Sequence, residues 1–393
     1  VKKLGTLALA VVVAGALGGC AADKKKQQAS STNSAVKVAV IYSKTGLLAA
    51  YGQEYLQGFQ AGLNYATHGT GSVGGHKIEV TYADDAGSPS TAVGAAKQYI
   101  GQGYKIIAGT TDSGIATQLA PLAEQNKVLY IDGPAATDKI TGINKYTFRS
   151  GRQTYQDVAT AGTFIGDPKG KKVLVFAQDT TFGQGNAAAV KQVLGAKGAT
   201  VSQLLVPATA TDFTPFAQQA AQAKADLVFV AWAGATTGPM WQALDQQKVL
   251  SSTTVVTGLA NTASYGAYGP ASSKINFLSY YFPDAADNPV NTAMKDAITQ
   301  AGGTPDLFSP DGFVAAQMIV HAVEKANGDD VQSMIGALEG WTFDAPKGSE
   351  TIRASDHAML QPMFQAKLAG SGTNWTPKLI STVGENDTAP GTA

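Results

Sequence analysis

From residue 36 onward the chain alternates short runs rich in β-branched residues with longer stretches at helical spacing, and it does so twice. Residues 36–41 read as a strand. From Tyr51 to about His68, Tyr55, Phe59, Leu63 and Ala66 recur on one helical face. Strand 77–82, helix 90–101, strand 104–108, helix 114–125 and strand 128–131 follow. The pattern restarts after Asp167-Pro168-Lys169-Gly170, with strands at 172–177, 200–206, 226–232 and 253–258. Helices are expected at 185–196, 213–224, 289–301 and 311–327. Strands alternating with helices of about 10–15 residues make βαβ units and parallel sheets covered on both faces. The expected fold class is therefore α/β, with two doubly wound parallel-sheet lobes.

Composition supports this and excludes other classes. Of 393 residues, 44% are hydrophobic, enough for sizeable cores, and only 15% are charged. Lys+Arg and Asp+Glu both number 29, and no basic cluster occurs beyond Lys24-Lys25-Lys26, which argues against nucleic acid as a partner. A single cysteine excludes a disulfide framework and a cysteine-based zinc site. The four histidines (His68, His76, His321 and His357) have no ligand-like spacing, so no metal is expected.

The first residues read as an address. Lys2-Lys3 precede an apolar stretch over residues 4–17, and Leu17-Gly18-Gly19-Cys20 closes it. That stretch is shorter than the ~20 residues a membrane helix needs, so a signal peptide is expected over 1–19. Its end resembles a bacterial lipobox, which implies a lipoprotein with Cys20 lipidated as the first mature residue. Residues 20–35 then form a polar, flexible tether, and no later segment is apolar enough to cross a membrane.

Ligands of open α/β sheets sit outside the carboxyl ends of the strands. The loops there are 43–46, 110–114 and 132–137 in the first lobe, and 178–183, 232–238 and 257–261 in the second. They are rich in Gly, Ala, Ser and Thr, with Asp112, Asp132 and Asp179 as their acids. No G-x-S-x-G, H-E-x-x-H or P-loop occurs. Gly183-Gln-Gly185-Asn-Ala-Ala188 approaches a dinucleotide fingerprint, but the next strand, 200–206, carries no acid. Those glycines are read as easing a tight strand-to-helix turn. The adjacent acids Asp84-Asp85 are read as solvated. No catalytic residues are expected.

In order and spacing, several short motifs resemble the type I periplasmic solute-binding proteins of the branched-chain amino acid and amide ABC-transporter family (leucine-binding-protein-like). They are Val36-Lys-Val-Ala-Val-Ile41 with Thr45-Gly46 and Tyr51-Gly52; Gly58 with Gly62; and Tyr82-Ala-Asp84-Asp85. Asp132-Gly-Pro-Ala-Ala-Thr137, Gln178-Asp179 with Phe182-Gly-Gln-Gly185, and Arg353-Ala-Ser-Asp356-His357 with Gln361-Pro362 complete the set. The resemblance implies two lobes that close on a solute, joined by a three-crossover hinge near 148–151, 276–283 and 341–353. Lobe 1 would comprise 36–150 plus 281–345, lobe 2 151–280 plus 346–385, with 386–393 a flexible tail.

The resemblance also carries over binding positions. Ser113-Gly114 matches the motif that takes a ligand carboxylate at a helix N-terminus, where free N–H groups and the helix dipole favour an anion. Ala135 and Thr137 match positions that contact the ligand. Phe182 matches a position that is often tyrosine. Beside these, Tyr51 and Trp232 are candidate aromatic walls. Two departures stand out. The positions of the family's disulfide are Ala86 and Ser113, and the acid that pairs with a ligand ammonium is replaced by Thr257 or Gly258. Asp112, Asp132 or Asp179 could substitute for it from another loop.

The expected function is an extracytoplasmic, membrane-anchored solute-binding lipoprotein that delivers a small organic solute to an ABC importer. Expected partners are that solute, the importer's permease and the membrane through the N-terminal lipid. No cofactor and no nucleic acid are expected, and the protein should act as a monomer. The alternative is a sensor that presents its solute to a membrane receptor; a nucleotide-cofactor oxidoreductase comes third.

Overall fold

The computed structural model describes residues 34–372 and 374–392. The signal segment, Cys20 and the tether as far as residue 33 lie outside the described residues.

The chain begins with β1 (Val36–Tyr42), α1 (Ala49–Ala66), β2 (Ser72–Val73), β3 (His76–Asp84), α2 (Pro89–Gly101), β4 (Ile106–Ala108), α3 (Ser113–Asn126), β5 (Leu129–Asp132) and β6 (Thr147–Arg149). These strands form one sheet in the order β2-β3-β1-β4-β5-β6, parallel throughout except for the short β2–β3 hairpin. Helices cover both faces of such a sheet, so its strands need apolar side chains on both sides. β1 accordingly buries every residue except Lys37.

Helix α4 (Thr154–Ile165) leads to the second sheet through β7 (Lys172–Asp179), α5 (Thr181–Val190), β8 (Thr200–Pro207), α6 (Thr214–Gln222), β9 (Leu227–Ala231), α7 (Thr237–Gln246), α8 (Val249–Ser252), β10 (Thr254–Gly258) and β11 (Ile275–Ser279). Then come α9 (Pro289–Gln300), α10 (Ser309–Ala326), α11 (Val331–Leu338), β12 (Thr342–Ala345), β13 (Gly348–Ile352), β14 (Met359–Leu360), β15 (Met363–Ser371), β16 (Asn374–Val383) and α12 (Glu385–Thr388). The second sheet has the order β16-β15-β11-β10-β9-β7-β8. Its β7–β11 portion is parallel, and the β15–β16 hairpin extends it antiparallel.

Several details depart from the sequence reading. Residues 386–391 are not a free tail: α12 runs through Thr388, which is buried, and Arg353 donates to the Pro390 carbonyl (2.7 Å). Helix α5 starts at Thr181, ahead of the expected 185, because Thr180 caps it by accepting from Gly183 N (3.2 Å). A Cβ on Gly183 would lie 1.8 Å from the Gln178 carbonyl, so this glycine serves close helix–strand packing. Helix α7 begins inside what reads as a loop. Finally, β12, β13 and β14 form a small antiparallel sheet whose Phe343, Ala345, Ile352 and Met359 enter the core of the first sheet. The chain therefore passes to the second sheet between Met359 and Met363, beyond the expected 341–353.

Helix α10 completes the first core by lying directly on α1. A Cβ on Gly58 would fall 1.9 Å from the Ser309 carbonyl, and one on Gly312 1.9 Å from the Tyr55 carbonyl. Backbone therefore packs on backbone there. The two sheets also meet near the cleft. Glu54 of α1 accepts from Asn261 Nδ2 (2.9 Å), Asp306 accepts from Thr262 N (2.9 Å), and Ala235 N donates to the Leu47 carbonyl (3.3 Å).

Candidate functional site

Asp85, at the carboxyl end of β3, is fully buried rather than solvated. It accepts from Thr110 Oγ1 (2.5 Å), Ser43 Oγ (3.1 Å) and Gly87 N (2.8 Å). Burial pushes its carboxyl above the usual range, against the pull of those donors. Asp84 clasps the same corner from outside, accepting from Thr45 Oγ1 (2.6 Å) and from Thr45 N and Lys44 N (both 3.1 Å). Together the two acids tie the loops after β1, β3 and β4 into one rim.

That rim faces the loops after β7, β8 and β9 across a cavity of about 300 Å³, at the small end of ligand pockets. The first sheet contributes Leu47, Tyr51, Thr111, Asp112, Ser113, Gly114, Pro134 and Ala136; the second contributes Gln178, Thr180, Thr181, Phe182, Ala208 and Ala233. A Cβ on Gly114 would lie 3.4 Å from Thr181 Oγ1, so the two sides nearly touch at the α3 and α5 N-termini. A smaller cavity of about 70 Å³ adjoins it and shares Tyr51, Arg152, Phe182, Ala233 and Phe308. Trp232, Gly258 and Tyr280 line that inner part.

Of the sequence candidates, Tyr51, Ser113, Gly114 and Phe182 line the main cavity and Trp232 its inner extension. Tyr51 meets Phe308 edge-on at 5.0 Å. Trp232 stacks on Phe176 at 5.7 Å and donates from Nε1 to Thr236 Oγ1 (3.0 Å), so it serves the core and the cavity together. Ser113 is the first residue of α3 and not its cap. Asp112 holds the cap position and accepts from Ile115 N (3.0 Å).

Ala135, Thr137 and Thr257 stand elsewhere. Arg149 is buried against Asp132 (3.4 Å) and donates to the carbonyls of Ala135 (2.9 Å) and Thr137. It thereby turns both residues inward and leaves Pro134 and Ala136 facing the cavity. Thr257 Oγ1 donates to the Val230 carbonyl (2.9 Å) within the second sheet, while Gly258 lines the inner cavity. Of the acids that could replace the one missing there, Asp132 is committed to Arg149 and Tyr130. Asp179 accepts from Gln184 Nε2 (2.8 Å), and only Asp112 lines the main cavity.

Two residues of the site escape the sequence reading. Phe308 precedes α10 and forms an aromatic wall. Arg152 sits where the chain leaves the first sheet, in a polar stretch that reads as a boundary. Its residue surface is 8% exposed, and it lines both cavities. Nε pairs with Asp157 (3.2 Å), Nη1 donates to the Pro134 carbonyl (2.6 Å), and the guanidinium lies 5.2 Å from the Tyr280 ring and 5.4 Å from the Phe308 ring. Among the described residues no group of three or more His, Cys, Asp or Glu side chains is placed to hold a metal, and no helix is long and apolar enough to cross a membrane.

The relatives agree with this architecture. The chain is 28% identical over 308 residues to Leu/Ile/Val-binding protein homolog 3 of Brucella melitensis, covering 77% of this chain and 82% of that protein. It is 34% identical to a structure of an ABC-type branched-chain amino acid transporter from Rhodopseudomonas palustris, with a TM-score of 0.74 and coverage of 90% of this chain and 97% of that one. An R. palustris ABC-transporter solute-binding protein in complex with 4-hydroxybenzoate shares the fold at a TM-score of 0.81 and 24% identity, with 89% of this chain and 97% of that one covered. The family model described as periplasmic binding protein matches residues 35–373. With its two α/β sheets and the cavity between their loops, this chain belongs to the periplasmic binding protein family.

Proposed function

We propose that this protein captures a small organic solute in the cavity between its two sheets and delivers it to an ABC importer. One observation carries the reading: the main cavity is lined from both sheets, by Tyr51, Ser113 and Gly114 on one side and Thr181 and Phe182 on the other. A solute that touches both sides binds the closed form better than the open one and so drives closure. The bodies built on the two sheets act as the lobes: 36–150 plus 281–360, which includes the small β12–β14 sheet, and 151–280 plus 361–385. Transport proteins among the relatives favour delivery to an importer over sensing.

The solute class follows from charge. Thr257 and Gly258 supply no carboxylate, the lining acids Asp112 and Asp157 are already engaged by Ile115 N and Arg152, and an ammonium buried without a free carboxylate costs several kcal/mol, more than two decades of affinity. The cavity therefore prefers a neutral or anionic solute to a zwitterionic branched-chain amino acid. Calorimetry with leucine, its keto acid and a simple aromatic acid, run beside small-angle scattering, tests both points. We expect an acid to bind tightest and the radius of gyration to shrink on binding. Leucine binding tightest would overturn the solute class; saturation with unchanged scattering would overturn the trap.

The body is extracytoplasmic by family, and the reading extends to a lipid on Cys20. Stable anchoring takes more than one acyl chain, each contributing about 0.8 kcal/mol per buried CH₂. A Cys20→Ala variant is expected to lose fatty-acid label and normal maturation. A variant that still matures, carries the label and fractionates with membranes would refute the anchor.

A further inference from the structure

Two opposite charges line the main cavity. Arg152 is more than nine-tenths buried, with its guanidinium beside the aromatic faces of Phe308 and Tyr280. A guanidinium carries five N–H donors. Asp157 and the Pro134 carbonyl occupy the Nε and Nη1 positions, and among the described residues no protein acceptor takes the others. The other charge is Asp112. As cap of α3 it consumes the Ile115 N–H and places a negative charge where the helix dipole would otherwise draw an anion. An anionic group at Ser113-Gly114 would face that carboxylate at close range, whereas a donor group there would be welcomed.

Resting on the reading of this cavity as the solute site, we infer that Arg152 grips the solute's carboxylate and that Asp112 receives a hydrogen-bond donor. The solute is then an organic acid bearing a hydroxyl or similar donor at its far end, with its flat or apolar middle between Tyr51, Phe182 and Phe308. A buried guanidinium suits this role because two parallel N–H groups match the two carboxylate oxygens. Asp157 does not cancel it: the pair is neutral as a whole, yet the guanidinium N–H groups left over still donate to a lone-pair acceptor. Arg152 is thus the specificity-determining residue for acids over their amides.

The test measures calorimetric affinities for 4-hydroxybenzoate, 4-hydroxybenzamide, benzoate and leucine. It compares the intact protein with Arg152→Gln, Arg152→Lys, Asp112→Asn and the double variant Arg152→Gln/Asp157→Asn, which leaves no unpaired buried carboxylate. In the intact protein we expect 4-hydroxybenzoate to bind tightest. Arg152→Gln and the double variant should lose about 100-fold or more on the acid and little on the amide. Arg152→Lys should recover part of that loss, and Asp112→Asn should cut the preference for 4-hydroxybenzoate over benzoate about tenfold. Equal losses on acid and amide would reduce Arg152 to a structural part and overturn the inference. Leucine binding with closure, unchanged in Arg152→Gln, would overturn it while leaving the solute-binding reading intact. If none of the four binds, the inference fails, and the solute-binding reading is then judged by mass spectrometry of whatever co-purifies in the cavity.

Discussion

Replacing Gly312 with alanine is expected to destabilise the protein by about 3 kcal/mol or more, because α10 lies on α1 with no room for a methyl group. The new Cβ would sit 1.9 Å from the Tyr55 carbonyl and 2.5 Å from Phe59 N, and neither is a flexible side-chain end that could move aside. Gly58→Ala should behave alike, since its Cβ would meet the Ser309 carbonyl. Gly94 in α2 provides the control. Nothing lies within 4 Å of its Cβ position, so Gly94→Ala should gain roughly 0.5–1 kcal/mol from helix propensity alone. Denaturant unfolding measures all three. The damage should reach the cavity as well, because Tyr51 stands in the first turn of α1 and Phe308 immediately before α10. A Gly312→Ala protein within 0.5 kcal/mol of the parent would mean that the two helices separate without penalty.

Thermal stability is expected to fall as pH rises from 5 to 9. Burial, reinforced by neighbouring Asp306, pushes Glu54 up to about 8. Burial likewise pushes Asp311 up to about 8 and Glu350 up to about 7, in both cases against the attraction of Lys347. In the unfolded chain these acids titrate near their ordinary values, 4.5 for Glu and 3.8 for Asp. The folded form therefore holds protons that the unfolded form has released. Their contribution is complete at low pH and disappears as pH climbs through 7 and 8. Melting curves at half-unit intervals should show the decline, and Glu54→Gln should flatten its upper part because an amide keeps hydrogen-bonding capacity without titrating. A melting temperature that is level or rising over that range would contradict the assignment.

The parallel strands were legible because burial on both faces demands apolar runs: Leu227–Ala231 is unbroken, and Val36–Tyr42 is broken only by Lys37. The β15–β16 hairpin was not. β15 mixes alanine, glycine and lysine, and β16 carries Pro377 and Lys378 on a sheet edge where one side meets solvent. Helix α7 hid behind Gly238 and Pro239, residues that read as a turn but are tolerated in a first helical turn. At the site, fold logic located the right loops without their facing. Residues 134–137 present alternate members to the cavity, and a distant arginine, Arg149, decides which. Arg152 offered only an isolated charge near a boundary. What makes it notable is burial between aromatic rings, a property of the assembled structure that no spacing encodes.

The packing of α10 on α1 also has a consequence in time. A ribosome delivers α1 early, with its glycine face bare, and the helix that must cover that face comes from the last quarter of the chain. The second sheet waits likewise for β15 and β16. The first core cannot close while synthesis is under way, and the second lacks Phe364, Ala366 and Leu368 on one face, which places this long-range pairing at the end of folding. The first body of a nascent chain built this way stays loose until its last quarter emerges, and looseness is what export of an extended polypeptide requires. The same interleaving that fixes the cavity walls in the finished protein thus keeps the unfinished one transportable.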